Sequence, residues 1–151
     1  MNRKIKYSIV GGIKGTTIMS IVMMISPMMG MPKMSPPEML SGMLGISVFV
    51  GWIIHFMIGI IFAFAYTYLC IFKQKISNVW IKGAVFGIIA FVFAQLMMAI
   101  MGTMVQMPKM EGSKILTMIG SLLGHIIFGL IVSKSVGLAY CSNKSCETKT
   151  T

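Results

Sequence analysis

Two histidines, His55 and His125, stand out chemically because both lie inside long apolar stretches of the chain. Each is about 10–12 residues from the end of its stretch that lies furthest from the chain termini. At ~1.5 Å per helical residue, this places the side chain about 15–18 Å deep in a bilayer. Ionisable side chains at that depth are costly and mark functional sites by default. Neutral imidazoles are good axial ligands for haem, and helix bundles hold such sites in their cores. A haem b held by both histidines is therefore one hypothesis.

The methionines suggest copper as a second hypothesis. The chain has 18 methionines, and thioether and imidazole groups together suit Cu(I). The alternative is that methionine serves as soft apolar filler. Many of them fall in the half of the predicted helices furthest from the termini or in the adjoining connections, namely Met23, Met24, Met28, Met29, Met31, Met34, Met97, Met98, Met101, Met104, Met107 and Met110.

Polar residues at a similar depth offer the histidines hydrogen-bond partners instead. Ser20 lies in the first apolar stretch and Gln95 in the third, so each stretch contributes one polar residue to a layer near the midplane. Hydrogen bonds between membrane helices average about 0.6 kcal/mol, and such a structural role needs no cofactor. A structural role for both histidines is the main expectation, with haem or copper binding as the alternative.

Small residues lie four positions before and after each histidine, on the same helix face. They are Gly51 and Gly59 around His55, and Ser121 and Gly129 around His125. This pattern leaves either room for a neighbouring helix or a slot for a flat cofactor.

The composition indicates an integral membrane protein. Hydrophobic residues make up 56% of the 151 residues and charged residues 11%, whereas a soluble domain carries about 25% charged residues. Four apolar stretches, at about 8–29, 43–72, 79–107 and 115–140, are each long enough to cross a bilayer as a helix. The polar tail, 141–151, is expected to be disordered. The predicted fold is therefore all-α, a polytopic membrane four-helix bundle over residues 1–140.

Basic residues predict how the helices are oriented. The net charge of +10 comes from residues that lie between apolar stretches and not on one face, so nucleic acid is not expected as a partner. By the positive-inside rule the more basic side is cytoplasmic, so both termini face the cytoplasm of a multi-pass inner-membrane protein. That side carries Arg3, Lys4, Lys6, Lys14, Lys73, Lys75, Lys82, Lys134, Lys144 and Lys149.

The two halves of the chain resemble each other, which predicts two duplicated transmembrane hairpins. The segment Met-Pro-Lys-Met occurs at 31–34 and again at 107–110. Gly11 and Gly15 recur as Gly83 and Gly87, each pair with the spacing of a close helix contact. The small residues around His55 recur around His125. Two hairpins with the same sense across the membrane are related by an axis along its normal.

The pattern Gly51-Trp52-x-x-His55-Phe56, with the glycine-rich first helix, resembles an uncharacterised family of small bacterial four-helix membrane proteins. The resemblance covers nearly the whole chain. In the second half Leu122 stands where a tryptophan would be. The family has no known function, so the resemblance implies fold and location only.

No catalytic set is recognisable, so no enzyme is predicted. The three acids, Glu38, Glu111 and Glu147, lie outside the predicted spans, and the cysteines Cys70, Cys141 and Cys146 lack metal-site spacing. The expected function is that of a structural or accessory protein acting through helix–helix contacts. Its expected partners are the lipid bilayer and either further copies of itself or other membrane subunits.

Overall fold

The computed structural model describes residues 3–32, 35–68, 78–104 and 113–147, with side chains except at 3, 29 and 138–147. The chain is all-α, as predicted, and has no strand among these residues. Its helices are α1 (Arg3–Ile25), α2 (Pro36–Leu44), α3 (Val48–Tyr68), α4 (Val79–Met104) and α5 (Lys114–Glu147). A short 3₁₀ helix, Ser26–Met29, follows α1. The predicted helix ends at 69–72 and 105–107 lie outside the described residues.

Four of the helices are long and apolar enough to cross a membrane. Only 17% to 44% of the most apolar window of each is buried inside the bundle. Most of their apolar side chains therefore point outward, as they do in proteins whose surroundings are lipid. A helix also satisfies every backbone group internally, which lipid requires.

The second predicted stretch, 43–72, is not one helix. Pro36 and Pro37 begin α2, because proline in the first helical turn lacks only an N–H that would have no partner there. Gly45 then ends α2 in the left-handed conformation, with φ of 65°, and α3 begins at Val48. Glycine adopts this conformation without steric cost, so the chain can turn back and α2 packs against α3.

The other helix ends also differ from the prediction. α1 begins at Arg3 and ends at Ile25, and Pro27 lies in the 3₁₀ helix beyond it. α5 continues to Glu147, beyond the predicted end at 140, while 148–151 lie outside the described residues. No proline lies within α5 to interrupt its backbone hydrogen bonds.

The helices pack in the spatial order α3–α1–α5–α4, with α2 against α3. α3 and α4 meet through aromatic rings in the half of the bundle nearer the chain termini, where Tyr66 and Phe86 have ring centroids 4.9 Å apart. In the same half, Tyr66 donates a hydrogen bond to Ser133 (2.7 Å), and Ser133 donates one to the Val79 carbonyl (3.0 Å). The buried core comprises Met19, Met23, Ala63, Tyr66, Phe86, Phe128, Val132 and Val136.

Candidate intramembrane binding cavity

A cavity of about 530 Å³ lies between α3 and α4, in the half of the bundle away from the termini. All five helices contribute to its wall, which is mostly apolar. Both histidines line it, as do Gln95 and Ser121. Cavities of this size accommodate small-molecule ligands, which such sites orient through a few polar groups in an apolar wall.

His55 is held on α3 with 8% of its surface exposed. Its Nε2 lies 3.2 Å from the Ser20 hydroxyl oxygen on α1. The ring also makes edge contacts with Trp52 and Phe56, neighbours on its own helix. One ring nitrogen of His55 is therefore already engaged by the protein.

His125 on α5 is bonded differently. Its Nδ1 lies 2.7 Å from the carbonyl oxygen of Ser121, one turn earlier. Because a carbonyl only accepts hydrogen bonds, Nδ1 carries the proton and the neutral ring has its lone pair on Nε2. The ring meets the edge of Phe91 on α4, with centroids 5.8 Å apart. This hydrogen bond both fixes the ring and leaves Nε2 able to bind a ligand.

The small residues around the histidines contact neighbouring helices. Gly51 lies against the Pro37 backbone, and Gly59 against Thr16 and the Gly12 backbone. Gly129 lies against the backbone of α4 at Gly83 and Gly87. At these three glycines the structure therefore shows helix packing and no slot for a flat cofactor. Ser121 lines the cavity, as Gly59 also does.

The predicted glycine pairs on α1 and α4 are also close helix contacts, but they do not contact equivalent partners. A Cβ added at Gly83 would lie 2.7 Å from the Leu130 Cα on α5. Gly11 and Gly15 contact α5 as well, and the close contact of α1 with α3 is made by the next residue, Gly12. There an added Cβ would lie 2.7 Å from the Ile60 Cα.

Sequence reasoning missed Thr16, which lines the cavity and is 1% exposed. Its hydroxyl has no hydrogen-bond partner among the described residues. A polar group buried without a partner costs about 1–3 kcal/mol, so this hydroxyl is a candidate ligand contact. Its position one turn before Ser20 on α1 was the available signal.

The methionines divide into two groups. Met23, Met97, Met98 and Met101 of the predicted set line the cavity. Met24, Met28 and Met104 point outward, with exposed fractions of 64%, 87% and 81%. Met31 is partly buried and belongs to neither group. Met29 has no described side chain, and Met34, Met107 and Met110 lie outside the described residues. The sequence did not identify Met19, Met39 and Met118, which also line the cavity.

Conventional metal clusters are not found in the part of the chain that the structure describes. No group of three or more histidine, cysteine, aspartate or glutamate side chains lies together there. Cys70 lies outside the described residues, and the side chains of Cys141 and Cys146 are not described. A metal in the cavity would therefore depend on histidine and methionine.

Four helices of membrane-spanning length and apolarity in a single bundle are the features of a polytopic membrane protein. The chain belongs to a family of unknown function (DUF6789), whose model matches residues 2–145. This confirms the resemblance to an uncharacterised family over nearly the whole chain. Searches of curated proteins and of solved structures found no match.

Proposed function

We propose that this protein is a multi-pass inner-membrane protein that binds a small ligand in the cavity between α3 and α4. The observation that carries the proposal is that His55 and His125, which lie on two different helices, line the same cavity. Buried ionisable groups inside a membrane are retained where they serve a site.

The proposed orientation has both termini in the cytoplasm. Lys4, Lys6 and Lys134 belong to the end of the bundle where the chain begins and ends. Trp80 is exposed at the start of α4, and the Lys134 ammonium lies 5.6 Å from its ring centroid. Tryptophan and lysine concentrate at membrane–water interfaces, so their contact supports an interface at this end.

A duplicated hairpin is also part of the proposal. The residues of the two halves correspond with a shift of one position from the sequence prediction, which paired Gly11 with Gly83. Gly12 contacts Ile60 on α3, and Gly83 contacts Leu130 on α5. Two turns further along, Ser20 contacts His55, and Phe91 contacts His125. The same order of contacts in both hairpins supports Gly12, and not Gly11, as the counterpart of Gly83.

Native mass spectrometry of the detergent-purified full chain tests ligand binding directly. We expect a non-covalent adduct on the wild type that is lost in His125→Ala and reduced in His55→Ala. Lys134→Ala, in the opposite half of the bundle, is the control and should keep the adduct. An absorption spectrum of the same sample shows whether the adduct is haem. Wild-type protein without any adduct, purified from cells grown with ample haem and metals, would refute the proposal.

A structural or accessory role is the second candidate, favoured by the close helix contacts at Gly51, Gly59 and Gly129. On this view the protein acts by holding other membrane subunits or further copies of itself. The histidines would then serve only in helix packing. Replacing both by alanine would lower stability by about 0.6 kcal/mol, because the His55–Ser20 contact joins two helices whereas the His125 hydrogen bond lies within α5, and it would change no ligand binding.

A further inference from the structure

We propose that the ligand of the cavity is Cu(I), bound by methionine sulfurs of α1 and α4 and by Nε2 of His125. This inference rests on the proposed function, because it names the ligand of the same cavity. Cu(I) is a soft cation that selects thioether and imidazole ligands. Both of these ligand types line the cavity.

Methionines from four helices converge on the cavity. Their spacing places them on shared faces, since residues three or four apart are neighbours on a helix. The pair on α1 is Met19 and Met23, with 5% and 3% of their surfaces exposed. The complete set in the wall is Met19, Met23, Met39, Met97, Met98, Met101 and Met118.

Gly124 leaves room on α5 for the two α1 methionines that line the cavity. A Cβ added at Gly124 would lie 2.6 Å from the Met23 terminal methyl and 3.5 Å from the Met19 Cγ. The Met23 side chain therefore packs directly on Gly124, with Met19 beside it. A larger side chain at position 124 would have to move the Met23 methyl group, and both methionines also line the cavity.

His125 is prepared to coordinate a metal. The hydrogen bond from Nδ1 to the Ser121 carbonyl fixes the tautomer, and histidine ligands of metals characteristically donate their other N–H in this way. His55 has its Nε2 in contact with Ser20 on α1, so Nδ1 is its remaining ring nitrogen. The inference assigns the metal to His125 and the contact with α1 to His55.

The charge of the wall also selects the ion. The described lining contains no carboxylate, so hard cations such as Mg²⁺ and Ca²⁺ lack the charged oxygen ligands that they usually have in proteins. Lys114 is the charged residue in this lining, and its exposed side chain is at the start of α5. A monovalent ion surrounded by neutral sulfur and nitrogen ligands carries the smallest charge that the apolar wall has to accommodate.

An anaerobic competition titration tests Cu(I) itself. The purified full chain is titrated against a coloured Cu(I)–chelator complex in the presence of a reductant, and withdrawal of one Cu(I) per chain is expected. Met19→Leu/Met23→Leu should weaken Cu(I) binding at least about tenfold, a loss of ~1.4 kcal/mol. Met98→Leu/Met101→Leu should weaken it similarly. Leucine conserves side-chain volume, so the bundle should fold in each variant.

The matched controls are outward methionines on the same helices. Met24→Leu on α1 and Met104→Leu on α4 should leave the Cu(I) affinity unchanged, since their side chains are 64% and 81% exposed. Sulfur scattering in the X-ray absorption spectrum of bound copper should fall in the cavity variants only. Equal weakening in cavity and control variants would overturn the inference.

The two proposals fail in different ways. A chain that binds no Cu(I) but carries an organic adduct lost in His125→Ala overturns the copper inference and leaves the binding function intact. Such an adduct with anionic groups, as in haem, should also be weakened by Lys114→Gln. A chain with neither copper nor adduct overturns both proposals.

Discussion

Thr16 shows at the scale of one residue how the cavity departs from an ordinary bundle core. Other buried hydroxyls, such as those of Ser26 and Thr67, donate to backbone carbonyls of their own helix. Thr16 instead directs its hydroxyl at Gly59, and it has no hydrogen-bond partner among the described residues. The unpaired Thr16 hydroxyl therefore lies against α3 at Gly59, one helical turn after His55.

Replacing Thr16 with valine tests this assignment. Valine has the same shape without the hydroxyl, so the ligand-free protein should gain about 1 kcal/mol in free energy of unfolding. Unfolding in a graded detergent–denaturant mixture, followed by circular dichroism, measures the change. Thr17→Val is the control, because the Thr17 hydroxyl is exposed and donates to the Ile13 carbonyl. A loss of stability confined to Thr16→Val would show that the hydroxyl has a partner.

Ser20 and His55 permit a second test at this scale. Their side chains join α1 to α3 through a buried contact of 3.2 Å. A double-mutant cycle of Ser20→Ala and His55→Ala should give a coupling energy of about 0.6 kcal/mol, the average for membrane helices. The same unfolding assay reports it. A coupling energy of zero would mean that the two side chains do not interact in the folded protein.

At the scale of the element, glycines set the distance between helices. Gly12 and Gly59 bring α1 onto α3, and Gly83 and Gly129 bring α4 onto α5. Without a hydrophobic effect between helices in lipid, close backbone approach is a main source of helix association. By contrast, α3 and α4 contact each other through large aromatic rings. The last of these contacts, between Phe62 and Phe93, forms part of the cavity wall.

Gly129→Ala and Gly137→Ala, on the same helix, should have opposite effects. An added Cβ at Gly129 would collide with the α4 backbone, including the Gly87 nitrogen at 2.6 Å, and should destabilise the protein by about 1–3 kcal/mol. At Gly137 the nearest atom, of Val79, is 3.8 Å away. There alanine should be neutral or stabilising by up to about 1 kcal/mol, its helix-propensity advantage. Equal unfolding free energies would contradict the α4–α5 contact.

At the scale of the whole molecule, the bundle is closed near its termini and open at the other end. The closed half has the Tyr66–Ser133 hydrogen bond and the aromatic contacts of Phe86. The open half has the cavity, and α2 packs against α3 beside it. In the proposed orientation the closed half faces the cytoplasm, so a ligand enters from the opposite side or laterally from lipid.

Reporter fusions test this orientation. A fluorescent protein that matures only in the cytoplasm should be bright when fused after Thr151. A phosphatase active only outside the cytoplasm should be inactive there and active when inserted before Ser113. The physical reason is the excess of lysine and arginine on the terminal side. The reverse pattern of activities would place the cavity mouth in the cytoplasm.

The sequence by itself predicted an all-α chain with four helices long and apolar enough to cross a membrane, and the structure has them. The length of each apolar stretch and its number of charged residues can be counted directly along the chain, and tertiary contacts do not alter them. Counting residues from the ends of the apolar stretches also predicted that His55 and His125 lie at similar depth in their helices. These counts did not reveal the break at Gly45 or the continuation of α5 to Glu147. The break depends on the conformation of one glycine, with φ of 65°, and an average over a long apolar stretch does not detect it.

Only the tertiary structure decided which faces meet. One residue along a helix turns the side chain by about 100°, so Gly11 and Gly12 contact different helices although both fit a glycine pattern. For the same reason Met23 lines the cavity while Met24 points outward. The free nitrogen of His125 also depends on a single hydrogen bond, to the Ser121 carbonyl. Spacing in the sequence gives candidates for a site, and the orientation of each helix about its own axis decides which of them face the cavity.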